Sequence, residues 1–538
     1  MNSFKKYFYF FIVNICQFGI QFFYSTSLGY NIDKIYQYTN SNESEEFIYR
    51  SSNQLAPISS LVIQLIAGAI SDRITCRLGR RKTMMIIGCS IFVVFHSLST
   101  ILLACPFIFD SNDSSSQDNS NSDNELYFFT LFRIANIIFL MFSTIGINMI
   151  QVSYRAFILD EFDSEYQTKV YTMSPLVSYV SIVSYGVIRL IITLIPISND
   201  YITLYYISLY ILAIIIVVIT VIIFCFNVQE TQYVEEDTEF KEGCWWIKSK
   251  MIFKDIFKML FTNNSLLISL FINVVVGYLA LYSMDSIFSN ITSFTFGDSE
   301  TSETNDIYNA ISKIIIALVA ILFASFIIWY NKHNDRIFTF SYIINLFSIF
   351  LCYGIYFLKE DDSSSNSDSS SNELTSSQIA MISILMIPMI TKSFIDVFMN
   401  SLPFAVLRNV SNPNKFGLSA GYLNTGIVLG QSFTSLINIL LHNFKDHSTS
   451  ENSKEFPTDE INELTIGINL ILFICVLAII VSRLMRHDNY MHSQNIRGYN
   501  QMNFDDIPEI DETISFKQSL NENSSLKGNE NNDIVLNV

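Results

Sequence analysis

Residues 68–82 read Gly68-Ala69-Ile70-Ser71-Asp72-Arg73-Ile74-Thr75-Cys76-Arg77-Leu78-Gly79-Arg80-Arg81-Lys82, set between apolar runs at 54–70 and 83–107. Each run has about the length a helix needs to cross a hydrocarbon core of about 30 Å. Arg73, Arg77, Arg80, Arg81 and Lys82 hold the connection on one side of the bilayer. Gly68 and Gly79 permit close helix approach and a tight turn. Asp72 falls at a helix end, where a carboxylate can face the N-terminus of another helix. A loop that served topology alone would need no such order. Gly68, Asp72, Arg73, Gly79, Arg80 and Arg81 are therefore candidate conformational-gating residues.

Apolar runs of this length recur along the chain. The first half holds 7–30, 54–70, 83–107, 126–151, 170–195 and 202–226. The second holds 265–283, 307–330, 337–358, 378–402, 416–441 and 464–482. Lipid offers backbone groups no partners, so such runs read as helices that pair internally. The expectation is an all-α polytopic membrane protein with about twelve transmembrane helices. Residues 1–226 would form one six-helix bundle, 227–264 a cytoplasmic central loop, 265–486 a second six-helix bundle, and 487–538 a disordered cytoplasmic tail. A substrate path would run between the two bundles. Lys5 and Lys6 precede the first run, but no small-residue cleavage site follows, so that run reads as a retained helix.

Composition agrees. Hydrophobic residues make up 50% of the 538 and charged residues 15%, against about a quarter in soluble domains. The net charge of −17 sits mainly in loops and tail, and it argues against nucleic acid. Basic residues concentrate in connections on one side, from Arg73 to Lys82, at Lys169, from Lys241 to Lys258, and at Lys332, Arg336, Arg408, Lys415, Arg483 and Arg486. The opposite side has only Lys34, Arg50, Lys359, Lys445 and Lys454. With the basic side inside, both termini are cytoplasmic. The eight cysteines show neither metal spacing nor a disulfide framework. No nucleotide loop, metal cluster or nucleophile with a base is present, so neither an enzyme nor a cofactor is expected. On the outer side lie Ser/Asn/Asp-rich tracts and sequons at Asn112 and Asn290, read either as glycosylation sites or as compositional bias.

Three further segments carry a resemblance. Pro57-Ile58-Ser59, Leu61 and Gln64 precede the loop. Asn148-Met149-Ile150-Gln151, Arg155-Ala156-Phe157 and Asp160 follow in the fourth run. Leu402-Pro403-Phe404-Ala405 is followed by Gly417-Leu418-Ser419, Gly421-Tyr422-Leu423-Asn424 and Gln431. Together with the loop they resemble the glycoside and sucrose:proton symporters of the major facilitator superfamily, which include plant sucrose transporters and animal solute-carrier relatives. The resemblance implies a major facilitator fold, a glycoside substrate and cotransport with a proton. It implies that Arg155 binds the sugar, and a guanidinium fork suits paired hydroxyls. Read from the residues alone, Arg155 could equally anchor the inner end of its helix. Gln64, Asn148, Gln151, Asn424 and Gln431 could line the sugar path or join helices.

The chain departs from the family pattern where protons are concerned. The family acid in the fourth helix is replaced by Thr144, and Asp285 is followed by Ser289 and Asn290 rather than an Arg-Glu pair. Lys392 and Asp396, four residues apart in the tenth run, share a helix face and are candidates for ion coupling. A self-neutralised packing pair is the other reading. Three functions stay open: a proton-coupled sugar carrier, a proton-independent carrier of another small polar solute, and a non-transporting sensor with a carrier fold. A monomer is expected, in the plasma membrane or an internal (vacuolar or endolysosomal) membrane.

Overall fold

The computed structural model describes residues 3–28, 59–110, 122–193, 199–230, 245–261, 264–296, 303–330, 343 and 376–449. All elements among the described residues are helical. In chain order they are α1 (Ser3–Val13), α2 (Ile15–Phe23), α3 (Ser59–Ser71), α4 (Arg80–Asp110), α5 (Ser122–Glu161) and α6 (Ser164–Thr193). They continue with α7 (Asn199–Asn227), α8 (Trp245–Leu260), α9 (Ser265–Phe296), α10 (Glu303–Tyr330), α11 (Ser376–Val410) and α12 (Phe416–Thr449). Eight helices among the described residues are long and apolar enough to cross a membrane, and α3 is a shorter apolar helix. The run at 337–358 apart from residue 343, the run at 464–482, the tail and Asn112 lie outside the described residues.

The surface shows which solvent the helices meet. Along α7, Ile211, Ile215, Ile219 and Ile222 are exposed at helical spacing. Along α10 the same holds for Ile311, Ile315, Leu318, Leu322, Phe326 and Trp329. Apolar stripes facing outward are stable against lipid and not against water. Inside, Phe22, Phe23, Phe92, Phe157 and Phe224 are fully buried. His96 stacks between Phe92 and Tyr210, with ring centroids 5.1 and 5.0 Å away.

Several elements differ from the sequence reading. The first run is broken at Asn14, whose amide Nδ2 donates to Phe10 O at 2.9 Å and to Val170 O of α6 at 3.0 Å. The helix α5 runs ten residues past the apolar boundary at 151, so Arg155 lies well inside it. The helix α9 runs past 283 to Phe296, which places Asn290 within helical backbone. The central connection, read as loop, contains α8. Apolarity marks where a chain meets lipid, whereas hydrogen bonding carries a helix beyond the bilayer edge.

Among the described residues, the two halves meet along three main helix pairs. The helix α6 packs along α10 and α11, and α5 along α12. The helices α3 and α12 approach backbone to backbone: a Cβ on Gly68 would run into Gly417 O, and one on Gly421 into Gln64 O. Small residues permit that approach.

Candidate functional site

The loop 73–79 and the ends of α3, α4, α5 and α12 gather at one end of the bundle, here called the loop face. Asp72 is 5% exposed. Its carboxylate accepts from Gly417 N and Leu418 N, both at 2.8 Å. A residue of the first half thus caps α12 of the second, meeting backbone N–H groups that have no partner within their own helix. Arg81, fully buried, donates to Asp72 at 2.7 Å, to Ser71 Oγ at 2.6 Å and to Asp160 at 2.7 Å. Arg80 donates to the other oxygen of Asp160 at 2.8 Å. Burial pushes the Asp72 carboxyl above its ordinary range, against the pull of Arg81.

Gly79 turns the loop with φ of 99°, a conformation that suits glycine. Glu230 lies over it and accepts from Arg81 N at 2.8 Å and Lys82 N at 3.1 Å, capping α4. Arg408 of α11 donates to Leu159 O at 3.0 Å, to Phe162 O and to Asp163 at 3.3 Å. Asp255 of α8 bridges Arg73 at 2.8 Å and Lys415 at 2.5 Å. Burial works to raise the Asp255 carboxyl, but the hydrogen bonds from Arg73 and Lys415 outweigh it and hold it below the ordinary value. The six gating candidates therefore come together at one cross-half closure.

A second cluster lies further along the same seam. Gln64 is eight residues from Asp72, about 12 Å along a helix. Its Nε2 donates to Asn148 Oδ1 at 2.5 Å, and Asn148 Nδ2 donates to Ser60 Oγ at 2.7 Å and Thr144 O at 2.8 Å. Arg155, 1% exposed, donates to Asn424 Oδ1 across the halves and lies 4.2 Å from the centroid of the Phe404 ring. Among the described residues no carboxylate pairs with Arg155. Gln64 Oε1 and Asn424 Nδ2 are buried with no hydrogen-bond partner among the described residues. Such atoms are costly unless something fills them. Gln151 and Gln431 are half-buried and join this cluster by no hydrogen bond among the described residues. Thr144, at the family's acid position, donates to Leu140 O at 2.9 Å within its own helix.

The third cluster surrounds Asp396, which is half-buried in α11. Tyr179 of α6 donates to it at 2.6 Å, and Asn400 Nδ2 donates to it at 2.9 Å. Tyr278 of α9 donates to Asn400 Oδ1 at 2.7 Å. A chain of hydroxyl, carboxylate, amide and hydroxyl crosses from one half to the other. Lys392 is also half-buried, one turn away. Sequence reasoning missed Tyr179, Tyr278, Asn400, Glu230, Asp163 and Asp255. Among 28 tyrosines nothing local marks these two, whereas an acid at a loop face rich in arginine offers a weak signal.

The chain matches no protein-family model and no curated protein. Solved structures do match. The MFS (major facilitator superfamily) proton:xylose symporter XylE bound to 6-bromo-6-deoxy-D-glucose is similar with a TM-score of 0.58 at 11% identity, over 88% of this chain and 95% of that one. A bacterial homologue of the iron transporter ferroportin, outward-facing, gives 0.56 at 8% identity over 90% and 99%. The MFS transporter FucP in the outward conformation gives 0.51 at 10% identity over 89% and 98%. At these identities the likeness is one of fold. The chain has the major facilitator fold, an all-helical architecture of membrane-crossing helices.

Proposed function

We propose that this protein is a secondary transporter of a sugar or glycoside, of the sucrose-like disaccharide class, working by alternating access between 1–226 and 265–486. It is a carrier and not an enzyme. The observation that carries the reading is the pairing of a cross-half closure at Asp72 and Arg81 with a buried seam whose Gln64 Oε1 and Asn424 Nδ2 await partners. A hydroxyl both donates and accepts, so one sugar could satisfy an orphan acceptor and an orphan donor together. The proton:xylose symporter among the similar folds supports a sugar. The motif resemblance supports a glycoside. The basic loop face is the cytoplasmic one, so this state is closed to the cytoplasm. Asp396, with Lys392 one turn away, is the coupling site that replaces the acid lost at Thr144. The protein functions as a monomer in the plasma membrane or an internal membrane, with the sequon at Asn112 as its candidate glycosylation site.

A second reading has one observation in its favour. A buried guanidinium that meets no carboxylate among the described residues, as at Arg155, suits a solute bearing a carboxylate as well as it suits a sugar.

Uptake by purified protein in liposomes decides between them. Labelled mono- and disaccharides and their carboxylated counterparts are offered with and without an inward proton gradient, to wild type and Asp396→Asn. Gradient-driven accumulation of a neutral sugar, reduced to equilibration in the variant, is the expected result. Transport of carboxylated solutes alone would establish the second reading. No uptake of either class by a folded protein would overturn both.

A further inference from the structure

The helix α8 joins the loop face through Asp255, and its surface is sorted into three strips. One strip is packed on the protein: Ile256 is buried, and Asp255 holds Arg73 and Lys415. The next is apolar and open: Phe253, Phe257, Leu260 and Phe261 are 54, 59, 42 and 77% exposed. They follow at i, i+4, i+7 and i+8, so they share one face. Beside them Lys250, Lys254 and Lys258, also exposed, follow at i, i+4 and i+8. Two of the lysines directly follow a phenylalanine of the apolar strip.

The helix has 16 residues, five of them charged, so it cannot span a bilayer. Four residues separate its C-terminal end from the start of α9 at Ser265, and α9 is long and apolar enough to cross a membrane. That short tether keeps Leu260 within about 17 Å of the point where α9 begins. An open aromatic strip with a parallel row of ammonium groups, held at that depth, matches one chemical environment: acyl chains on one side and phosphate on the other.

We propose that α8 lies in the membrane interface and binds anionic phospholipid headgroups through Lys250, Lys254 and Lys258, with Phe253, Phe257 and Phe261 inserted beside them. The inference holds whatever solute the protein carries. It gives the Asp255 contacts a purpose, because they fix the rotation of the helix so that the lysine row points away from the protein. Near an anionic surface each such lysine is worth about a fivefold change in binding.

The test uses the full-length protein in nanodiscs of phosphatidylcholine alone or with about a third phosphatidylserine. Hydrogen exchange over 245–261 is compared between them at low and high salt. Expected is at least tenfold stronger protection in the anionic discs, lost at high salt, and lost in the Lys250→Gln/Lys254→Gln/Lys258→Gln variant with exchange in α9 and α12 unchanged. Bromine-labelled acyl chains should quench a fluorophore attached at position 257. Equal protection in both lipids would overturn the proposal, as would protection that ignores salt and the triple substitution. Quenching without lipid dependence would reduce the helix to an apolar anchor and also overturn it.

Discussion

The loop face and the seam next to it are built from similar materials and finished differently. At the loop face Arg81 has every nitrogen of its guanidinium on a partner: Nε on Asp160, Nη1 on Ser71 and Nη2 on Asp72. The acids Asp72, Asp160 and Glu230 each receive more than one donor. About 12 Å away along α3, Gln64 and Asn424 each keep one atom without a partner, and Arg155 sits buried against an amide and a ring. A densely paired network fixes one arrangement of two helices, even though Ser419 Oγ at the start of α12 is buried without a hydrogen-bond partner among the described residues. An unsaturated one retains capacity for something that comes and goes. The first is therefore read as closure and the second as binding.

Breaking the saturated side should have the largest effect. Arg81→Ala leaves Asp72 and Asp160 buried without their main partner, a loss commonly of about 3–5 kcal/mol. The closed state should give way, and single cysteines placed on α12 near Ser419 should become accessible to a thiol reagent from the loop face. If their labelling rate is unchanged in a folded variant, the closure does not depend on this arginine. On the unsaturated side Arg155→Lys keeps the charge and removes the fork. Substrate half-saturation should rise about tenfold or more while thermal unfolding moves little. A reverse pattern, lowered stability with unchanged half-saturation, would make Arg155 a helix anchor.

Asn424→Asp sharpens the same contrast at one atom. The new carboxylate still accepts from Arg155, now as an ion pair, while the orphan donor Nδ2 disappears. Closing the seam in this way should raise the unfolding temperature. Sugar affinity should fall by roughly the worth of one hydrogen bond, about 0.5–1.5 kcal/mol. If both properties worsen, the seam is as structural as the loop face and the distinction between them fails.

How much of this was legible in the sequence follows from the kind of force involved. The class of fold was legible because lipid imposes a single solution on long apolar runs. The closure was half legible: Gly68, Asp72, Gly79, Arg80 and Arg81 are contiguous in sequence, so their order could be read. Their partners Gly417, Leu418 and Glu230 are not, since they are brought near only by packing. Arg155 and Asn424 were named singly from motifs, and nothing in either motif says that they touch. The helix α8 was passed over because its four lysines lowered the apolar signal, although its apolar positions already kept helical spacing. Tyr179 and Tyr278 were illegible because a tyrosine at a helix interface is ordinary until a carboxylate stands beside it.

The smallest test concerns the edge of the loop face, where saturation gives way to solvent. Asp255 links α8 to Arg73 and Lys415, but the carboxylate is 18% exposed and Lys415 31%. Exposed pairs contribute about 0–1 kcal/mol, so Asp255→Asn should lower the unfolding temperature slightly and leave accessibility at Ser419 unchanged. The pH dependence has a definite sign. The Asp255 carboxyl is held below its ordinary value, so its contribution is present above the ordinary carboxylate range and is lost as pH falls through the depressed value. Between about pH 5 and 8 the gap between wild type and variant should therefore stay constant. A gap that grows or closes within that range would mean that Asp255 titrates with the buried acids, and that the edge belongs to the saturated network after all.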